Sequence, residues 1–217
     1  MNKPAKRPRG RPRGFDRDKA LESALRLFWT RGFEATSISE LTEAMGINPP
    51  ALYAAFGDKK HLFLQAVARY EEEAGCFAQK AFEEPTAKGA MSRLLHGAVE
   101  AFTKRGAPRG CLVVLGATNC AAESAEIYDA LAARRRKAEK AVRARIAAGQ
   151  AAGELDPDQD VEALAGTITA TLFGLAIKAK DGLPPSQLHR IVDQTMRTWP
   201  DKARAARTAI RPDACRG

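Results

Sequence analysis

The sequence has little of what marks a secreted or membrane-spanning protein. Its 217 residues hold four cysteines and no CxxC pair, which is typical of a protein in a reducing compartment. The basic N-terminus is not followed by the apolar segment of a secretory signal. The longest apolar run that we find, 111–117, is far shorter than the ~18 residues of a membrane span. These features predict a cytoplasmic protein that binds no membrane.

Side chains typical of catalysis or metal binding are also scarce. The three histidines, His61, His96 and His189, are scattered, and none belongs to an HExxH or another metal-ligand spacing. The sequence has no GxxxxGK phosphate loop and no GxGxxG motif after a predicted strand. We therefore expect no enzyme, no metal and no cofactor. An enzyme built on a helical bundle is the alternative, and detectable turnover would favour it.

Charge of one sign is concentrated at the two ends of the chain. The net charge is +9, and residues 1–14 contain six lysines or arginines and no acid. Residues 200–217 contain five basic and two acidic side chains, so the region between the two ends is neutral as a whole. Basic ends of this kind suit binding to a polyanion such as DNA.

The N-terminal basic segment contains an AT-hook-like motif. Residues 8–12 read PRGRP, in which glycine lets the backbone lie deep in a narrow minor groove while Arg9 and Arg11 extend along it. We expect residues 1–14 to be a disordered arm with this function. The alternative is a solvated basic tail with only nonspecific affinity for DNA.

Three helices are predicted between residues 15 and 57. Asp16 can cap the first helix and Gly32 can end it. Ser37 precedes Glu40 by three residues, which is the spacing of a capping box and predicts a helix from Ile38.

The third helix follows a tight turn at Gly46. Asn48 can cap it, Pro49 and Pro50 suit its first turn, and Gly57 can end it. Two helices this short need support from the first, so the layout predicts a helix-turn-helix. The expected core is Leu21, Leu25, Phe28, Phe33, Ile38, Leu41, Met45, Ile47, Leu52 and Phe56.

The rest of the chain is also predicted to be helical, because good helix formers dominate and β-branched runs are short. A fourth helix begins near Asp58 and continues through Phe77. The later helices are predicted at 87–105, 109–121, 124–150, 158–180 and 186–198. The fold class is therefore all-α.

Residues 32–63, GFEATSISELTEAMGINPPALYAAFGDKKHLF, are similar to the DNA-binding domain of the tetracycline-repressor (TetR) family of bacterial regulators. The resemblance implies a helix-turn-helix DNA-binding domain at 15–62 and a helical ligand-binding and dimerisation domain at 63–200. Residues 201–217 would then form a basic tail.

The residues expected to contact DNA lie at the starts of the second and third helices. A recognition helix presents its N-terminal turn to the bases, so Asn48, Pro49, Pro50 and Tyr53 are candidates for the major groove. Ser39 could reach a base edge.

Phosphate contacts are expected from Thr36, Ser37, Tyr53 and Lys59, by the resemblance and by their chemistry. The alternative is that Tyr53 is a half-buried core residue and that Thr36 and Ser37 merely cap a helix.

The predicted helix 158–180 is almost apolar on every side, and such a helix must be buried all round. In a chain of this size one face would meet a second copy. The resemblance implies that helices 158–180 and 186–198 form a four-helix interface in a homodimer. The alternative is the central helix of a monomeric bundle.

An apolar effector pocket is expected among helices 87–150. The residues assigned to it are Phe102, Cys111, Leu112, Leu115 and Phe173. A small, apolar effector that fits only the conformation unable to bind DNA would release the operator.

The segment RGCL at 109–112 offers a second mode of regulation. Arg109 and a helix N-terminus could lower the pKa of Cys111 and make it an electrophile or redox sensor. The alternative is that Cys111 and Cys120 are small buried apolar side chains, which we favour for Cys120. The spacing predicts that both lie on similar faces of one helix.

The function that these features favour is a ligand-responsive transcriptional regulator, a repressor by resemblance, that binds a palindromic operator as a dimer. The cysteine-sensing regulator is one alternative. The other is an architectural DNA-binding protein that prefers A·T sequences and binds no ligand.

Overall fold

The computed structural model describes residues 14–74 and 76–200, and every regular element in these residues is helical. The predicted all-α fold is therefore confirmed. The helices are α1 (Arg17–Arg31), α2 (Ile38–Met45), α3 (Pro49–Phe56), α4 (Lys59–Ala74), α5 (Cys76–Phe82), α6 (Ala87–Phe102), α7 (Leu112–Leu115), α8 (Ala125–Ala151), α9 (Val161–Lys180) and α10 (Pro185–Arg197), with a short 3₁₀ helix at Ala122–Ser124. The predicted arm, apart from Gly14, and the predicted tail 201–217 lie outside the described residues.

Helices α1 to α4 form one packed unit around an aromatic cluster. Phe63 of α4 meets Phe28 of α1 edge-on at 5.0 Å between ring centroids, and it meets Phe33 at 5.2 Å. All three rings are buried. Leu21, Ile38 and Ile47 of the predicted core are partly buried against this centre, and the other predicted core residues are buried.

The second half of the chain packs around α6. This helix contacts α5 on one side and α9 and α10 on another, while α8 packs along α9. The buried residues of both halves form one continuous apolar core, because Phe63 and Tyr70 of α4 reach from the first half toward the segment around α7.

The predicted helix 109–121 is wrong, since only Leu112–Leu115 is helical in this stretch. Gly110 has a φ of 89°, and Cys111 is extended. A Cβ at position 110 would lie 2.9 Å from the carbonyl oxygen of Ala176, so Gly110 allows the chain to pass close to α9. The Arg109 guanidinium also donates to the carbonyls of Ala179 and Leu183, which ties this bend to α9.

Helix α9 is long and apolar enough to span a membrane, with a mean hydropathy of 1.4, although only 33% of that window is buried within the subunit. The expectation that no stretch of the chain is long and apolar enough to span a membrane was therefore wrong. Leu172, Leu175 and Ala176 of α9 are buried in the core.

Candidate DNA interface and regulatory junction

The start of α2 is fixed by a reciprocal pair of hydrogen bonds. The Glu40 N–H donates to Ser37 Oγ at 3.2 Å, and the Ser37 N–H donates to the Glu40 carboxylate at 2.9 Å. The bonds from Ser37, and then the charge of Arg31, lower the pKa of Glu40. Ser37 and Ser39 are exposed, so the positive end of α2 faces solvent.

Thr36 lies directly before this cap but is buried, with 1% of its surface exposed. Its hydroxyl donates to the Gly32 carbonyl at 2.7 Å. This geometry corrects the prediction that the Thr36 side chain is available to a phosphate. Its role here is to hold the connection between α1 and α2.

The third helix begins with a turn that is exposed and free of charge. Gly46 adopts the left-handed conformation with φ 65°, and the side-chain oxygen of Asn48 accepts the Ala51 N–H at 2.9 Å. Asn48, Pro49 and Pro50 are exposed. The whole sequence of α3, PPALYAAF, contains no charged residue.

Tyr53 is the exposed aromatic residue of α3. Leu52 and Phe56 of the same helix are buried, whereas Tyr53 is 51% exposed. Tyr53 belongs neither to the apolar core nor to the side chains packed against it, so the interpretation of Tyr53 as a core residue is wrong, and about half of its surface is open to a partner.

Lys59 lies at the first position of α4, beside the helix-turn-helix. Its ammonium is 4.3 Å from the centre of the Phe33 ring. Partial burial lowers the pKa of Lys59, while the neighbouring charge of Glu34 acts in the opposite direction. The cation therefore rests on an aromatic face at the edge of the exposed turns. Arg9 and Arg11 of the predicted arm lie outside the described residues.

A segment that the sequence did not identify joins this unit to the rest of the chain. The Ala121 N–H donates to Glu34 at 3.1 Å, and a hydrogen bond from the Ser124 hydroxyl is the main reason that the pKa of Glu34 is lowered. Lys60 donates to the Glu123 carbonyl at 2.8 Å and pairs with Glu126 at 2.6 Å.

Three further hydrogen bonds to backbone carbonyls of this segment strengthen the connection. The Phe33 N–H donates to the Gly116 carbonyl at 2.7 Å, and the Trp29 indole N–H donates to the Gly110 carbonyl at 3.2 Å. Arg26 donates to the Gly106 carbonyl at 2.6 Å. We call residues 103–124 the junction segment, because they connect α1 and α4 to α8 and α9. No motif in the sequence signals these long-range bonds.

The five residues predicted to line an effector pocket lie in or against the core. Phe102, Cys111 and Leu112 are buried, and Leu115 and Phe173 are partly buried. None of the five lines either of the two surface cavities described for residues 14–74 and 76–200.

The larger cavity is an open cleft of about 890 Å³ between α1, α4, α5, α6 and the start of the junction segment. Its walls combine aromatic and charged side chains. The smaller cavity, about 550 Å³, lies along α10.

The environment of Cys111 does not activate its thiol as predicted. Burial raises the pKa of Cys111, and the thiol shares a hydrogen bond with the Tyr70 hydroxyl. Arg109 is engaged by carbonyls of α9 and its following loop. The sensing hypothesis thus loses the lowered pKa on which it rested.

Cys120 does not share a helix with Cys111 and lies beside Glu34. It is half-buried against the core, and its pKa is raised by burial and then by the Glu34 charge.

Comparison with known proteins identifies the family. Residues 20–66 match the model of "Bacterial regulatory proteins, tetR family", and residues 87–195 match "Tetracyclin repressor-like, C-terminal domain". The chain is 35% identical over 198 residues to the HTH-type transcriptional repressor ComR of Escherichia coli, covering 90% of this chain and 94% of ComR. It is 36% identical over 117 residues to the repressor BdcR of the same organism, covering 54% of this chain and 59% of BdcR.

A solved structure supports the same assignment. The tetR-family regulator CifR, as a cysteine variant described in complex with a 26-bp operator duplex, has a TM-score of 0.84 and 44% identity. The match covers 88% of this chain and all of that one. The relatives that match this chain over nearly its full length are thus transcription regulators rather than enzymes. The chain belongs to the tetR family of bacterial regulatory proteins, and it is a DNA-binding transcriptional regulator.

Proposed function

We propose that the protein is a cytoplasmic repressor that binds an inverted-repeat operator as a homodimer and leaves it when a small effector binds. The DNA-binding domain comprises residues 15–62 and the regulatory domain 63–200. The observation that carries the proposal is the pair of exposed N-terminal turns on α2 and α3, held on a buried aromatic core. Recognition helices of this kind present their first turn to the major groove.

Base contacts come from the first turn of α3 and from Ser39. Pro49 and Pro50 offer apolar surface to thymine methyl groups, and Asn48 is the polar group of the turn. Because this turn has few hydrogen-bonding groups, orientation on the duplex depends on phosphate contacts. We assign these to Ser37, Tyr53 and Lys59, which stand around the exposed helix starts.

The homodimer is formed through α9 and α10. The α9 side chains that the subunit leaves uncovered are apolar or small along one side, and Ile177 is 48% exposed. At Gly166 and Gly174 an added Cβ would meet nothing within 4 Å. A second copy covering this side places two recognition helices in successive major grooves, roughly 34 Å apart.

Selection of bound duplexes from a random pool, followed by footprinting, tests the proposal. We expect a protected inverted repeat. Tyr53→Ala should reduce the affinity for it by about tenfold, equivalent to about 1.4 kcal/mol. Tyr128→Ala is the matched control, because Tyr128 is a similarly exposed tyrosine on α8, 44% exposed. An A·T preference without a repeat would instead favour the architectural alternative.

The basic arm is tested by deleting residues 1–13. We expect weaker binding and a less steep fall of log affinity with log salt concentration. The change in slope should correspond to a loss of up to about five phosphate contacts, since Arg9, Arg11 and their neighbours no longer release counterions. An unchanged slope would show that the arm does not contact the duplex.

The dimer is tested by Ile177→Glu, with Ala133→Glu on the exposed side of α8 as its control. Small-angle scattering should report a single subunit for the first variant and a dimer for the second. A wild-type chain that is a single subunit at micromolar concentration would contradict the proposed assembly.

A further inference from the structure

The cleft between the DNA-binding unit and α6 has an aromatic floor. Trp29 and Tyr70 meet edge-on at 4.7 Å between ring centroids, and Phe77 lies beside them in the wall. Trp29 and Phe77 are only partly buried. Its volume of about 890 Å³ falls in the range of small-molecule sites. The floor therefore suits an aromatic or alkyl body.

The rim of the cleft has an excess of positive charge. Lys80, Lys104 and Arg105 line it and are exposed. They take part in none of the ion pairs observed for residues 14–74 and 76–200.

The cleft has three acidic side chains against the four basic ones of Arg26, Lys80, Lys104 and Arg105. Glu73 accepts from Arg69 at 2.9 Å, and Glu100 lies 2.9 Å from the His189 ring. Glu22 is the remaining acid of the wall. The charge that complements this rim is negative.

Arg26 connects the cleft to the DNA-binding unit. Its guanidinium, on α1, donates to the neutral carbonyl of Gly106. That bond and the bond from Trp29 to Gly110 attach the start of the junction segment to α1. A carboxylate is a stronger acceptor for a guanidinium than a carbonyl is. An anion in the cleft would therefore compete with Gly106 for Arg26.

We infer that the cleft is the effector site and that its ligand is an amphipathic anion, with an aromatic or alkyl body on Trp29 and Phe77 and a carboxylate between Arg26 and Lys104. Binding moves Arg26 from Gly106 to the ligand and removes one of the two bonds between α1 and the start of the junction segment. Operator affinity then falls, because the ligand stabilises a different attachment of the DNA-binding unit. This inference rests on the proposed effector-released repressor and replaces the purely apolar effector that the sequence suggested.

The ligand class is tested with 4-phenylbutyrate and its neutral counterpart 4-phenylbutyramide. The chain has two tryptophans, so Trp199→Phe leaves Trp29 as the only reporter, and its fluorescence follows occupancy of the cleft. Calorimetry on the unmodified chain provides the same affinities without the substitution. We expect the acid to bind about tenfold more tightly than the amide, since one charged hydrogen bond is gained.

The rim is tested by the double variant Lys104→Gln/Arg105→Gln. We expect it to lose the preference for the acid. The matched control is Arg136→Gln/Lys137→Gln, which removes one arginine and one lysine from an exposed stretch of α8 and should keep the tenfold preference. Arg26→Gln should weaken binding of the acid and abolish its effect on operator affinity.

Operator binding is measured on the same samples by fluorescence anisotropy. Equal affinity for acid and amide, binding of neither at millimolar concentration, or equal losses in both double variants would overturn the inference while operator binding remains intact. Failure of the unmodified protein to bind any selected repeat would instead contradict the proposed function itself.

Discussion

The DNA-binding unit and the junction segment are held in place by different kinds of interaction. The unit is fixed by caps within a few residues of each helix start and by buried rings packed around Phe63. The start of the junction segment, residues 103–110, is attached to α1 by single hydrogen bonds from Arg26 and Trp29, whereas Leu112 and Val114 farther along the segment are buried in the apolar core. Apolar packing is lost only when the chain unfolds, whereas a hydrogen bond can be exchanged for one to water or ligand at small net cost. The start of the junction segment is therefore the part suited to regulation.

The largest expected effect comes from disrupting the apolar packing of the DNA-binding unit. Phe63→Ala removes a fully buried ring that contacts Phe28 and Phe33. We expect the free energy of unfolding to fall by about 3–5 kcal/mol, measured by urea denaturation. Phe63→Leu keeps most of the apolar volume and should cost clearly less. Equal losses would mean that the shape of the ring, and not its apolar volume alone, determines its contribution to the core.

A smaller effect separates backbone conformation from crowding in the junction segment. Gly110→Ala forces an alanine into a backbone conformation with positive φ and places its Cβ 2.9 Å from the Ala176 carbonyl oxygen. We expect a loss of about 2–3 kcal/mol of stability. Gly106→Ala is the control, because its φ is also positive, 79°, but its Cβ would meet nothing within 4 Å. It should cost about 1 kcal/mol, and a similar loss at both positions would refute the close approach to α9.

The local caps of the DNA-binding unit should contribute less again. Ser37→Ala or Asn48→Ala removes an acceptor at the start of α2 or α3, and we expect each to lower the free energy of unfolding by about 1 kcal/mol. Ser39→Ala is the control, since Ser39 is exposed and is not the cap. A loss at Ser39 equal to that at Ser37 would show that capping is not the cause.

The smallest effect concerns the pH dependence of the bond between Glu34 and the junction segment. Hydrogen bonds from Ser124 and Ala121 lower the pKa of Glu34. Its stabilising contribution is therefore full above the pKa of an unfolded glutamate, about 4.3, and is lost as the pH falls through the lower folded value. Glu34→Gln should flatten the decrease in stability at acid pH slightly. A stability difference between Glu34→Gln and the unmodified chain that is as large at strongly acid pH as at neutral pH would contradict this assignment.

The difference between local contacts and contacts to distant residues explains which features could be predicted from the sequence. The starts of α2 at Ile38 and of α3 at Pro49 were predicted correctly, because their caps lie within three residues of the bonds that they make. The helix 109–121 was wrong, because Gly110 and Arg109 respond to α9, some 70 residues away. The cleft was not predicted, since its walls come from five helices and a loop whose approach no local pattern encodes.

The absence of charge from α3 has a consequence for how the protein divides its contacts with DNA. In the proposed complex the helix that chooses the site releases no counterions, while the arginines before Gly14 and the lysine at position 59 supply the ionic attraction. The major-groove contacts and most of the ionic attraction are thus supplied by separate stretches of chain. A change in potassium concentration would alter how long the dimer stays bound more than it alters which major-groove sequence α3 prefers.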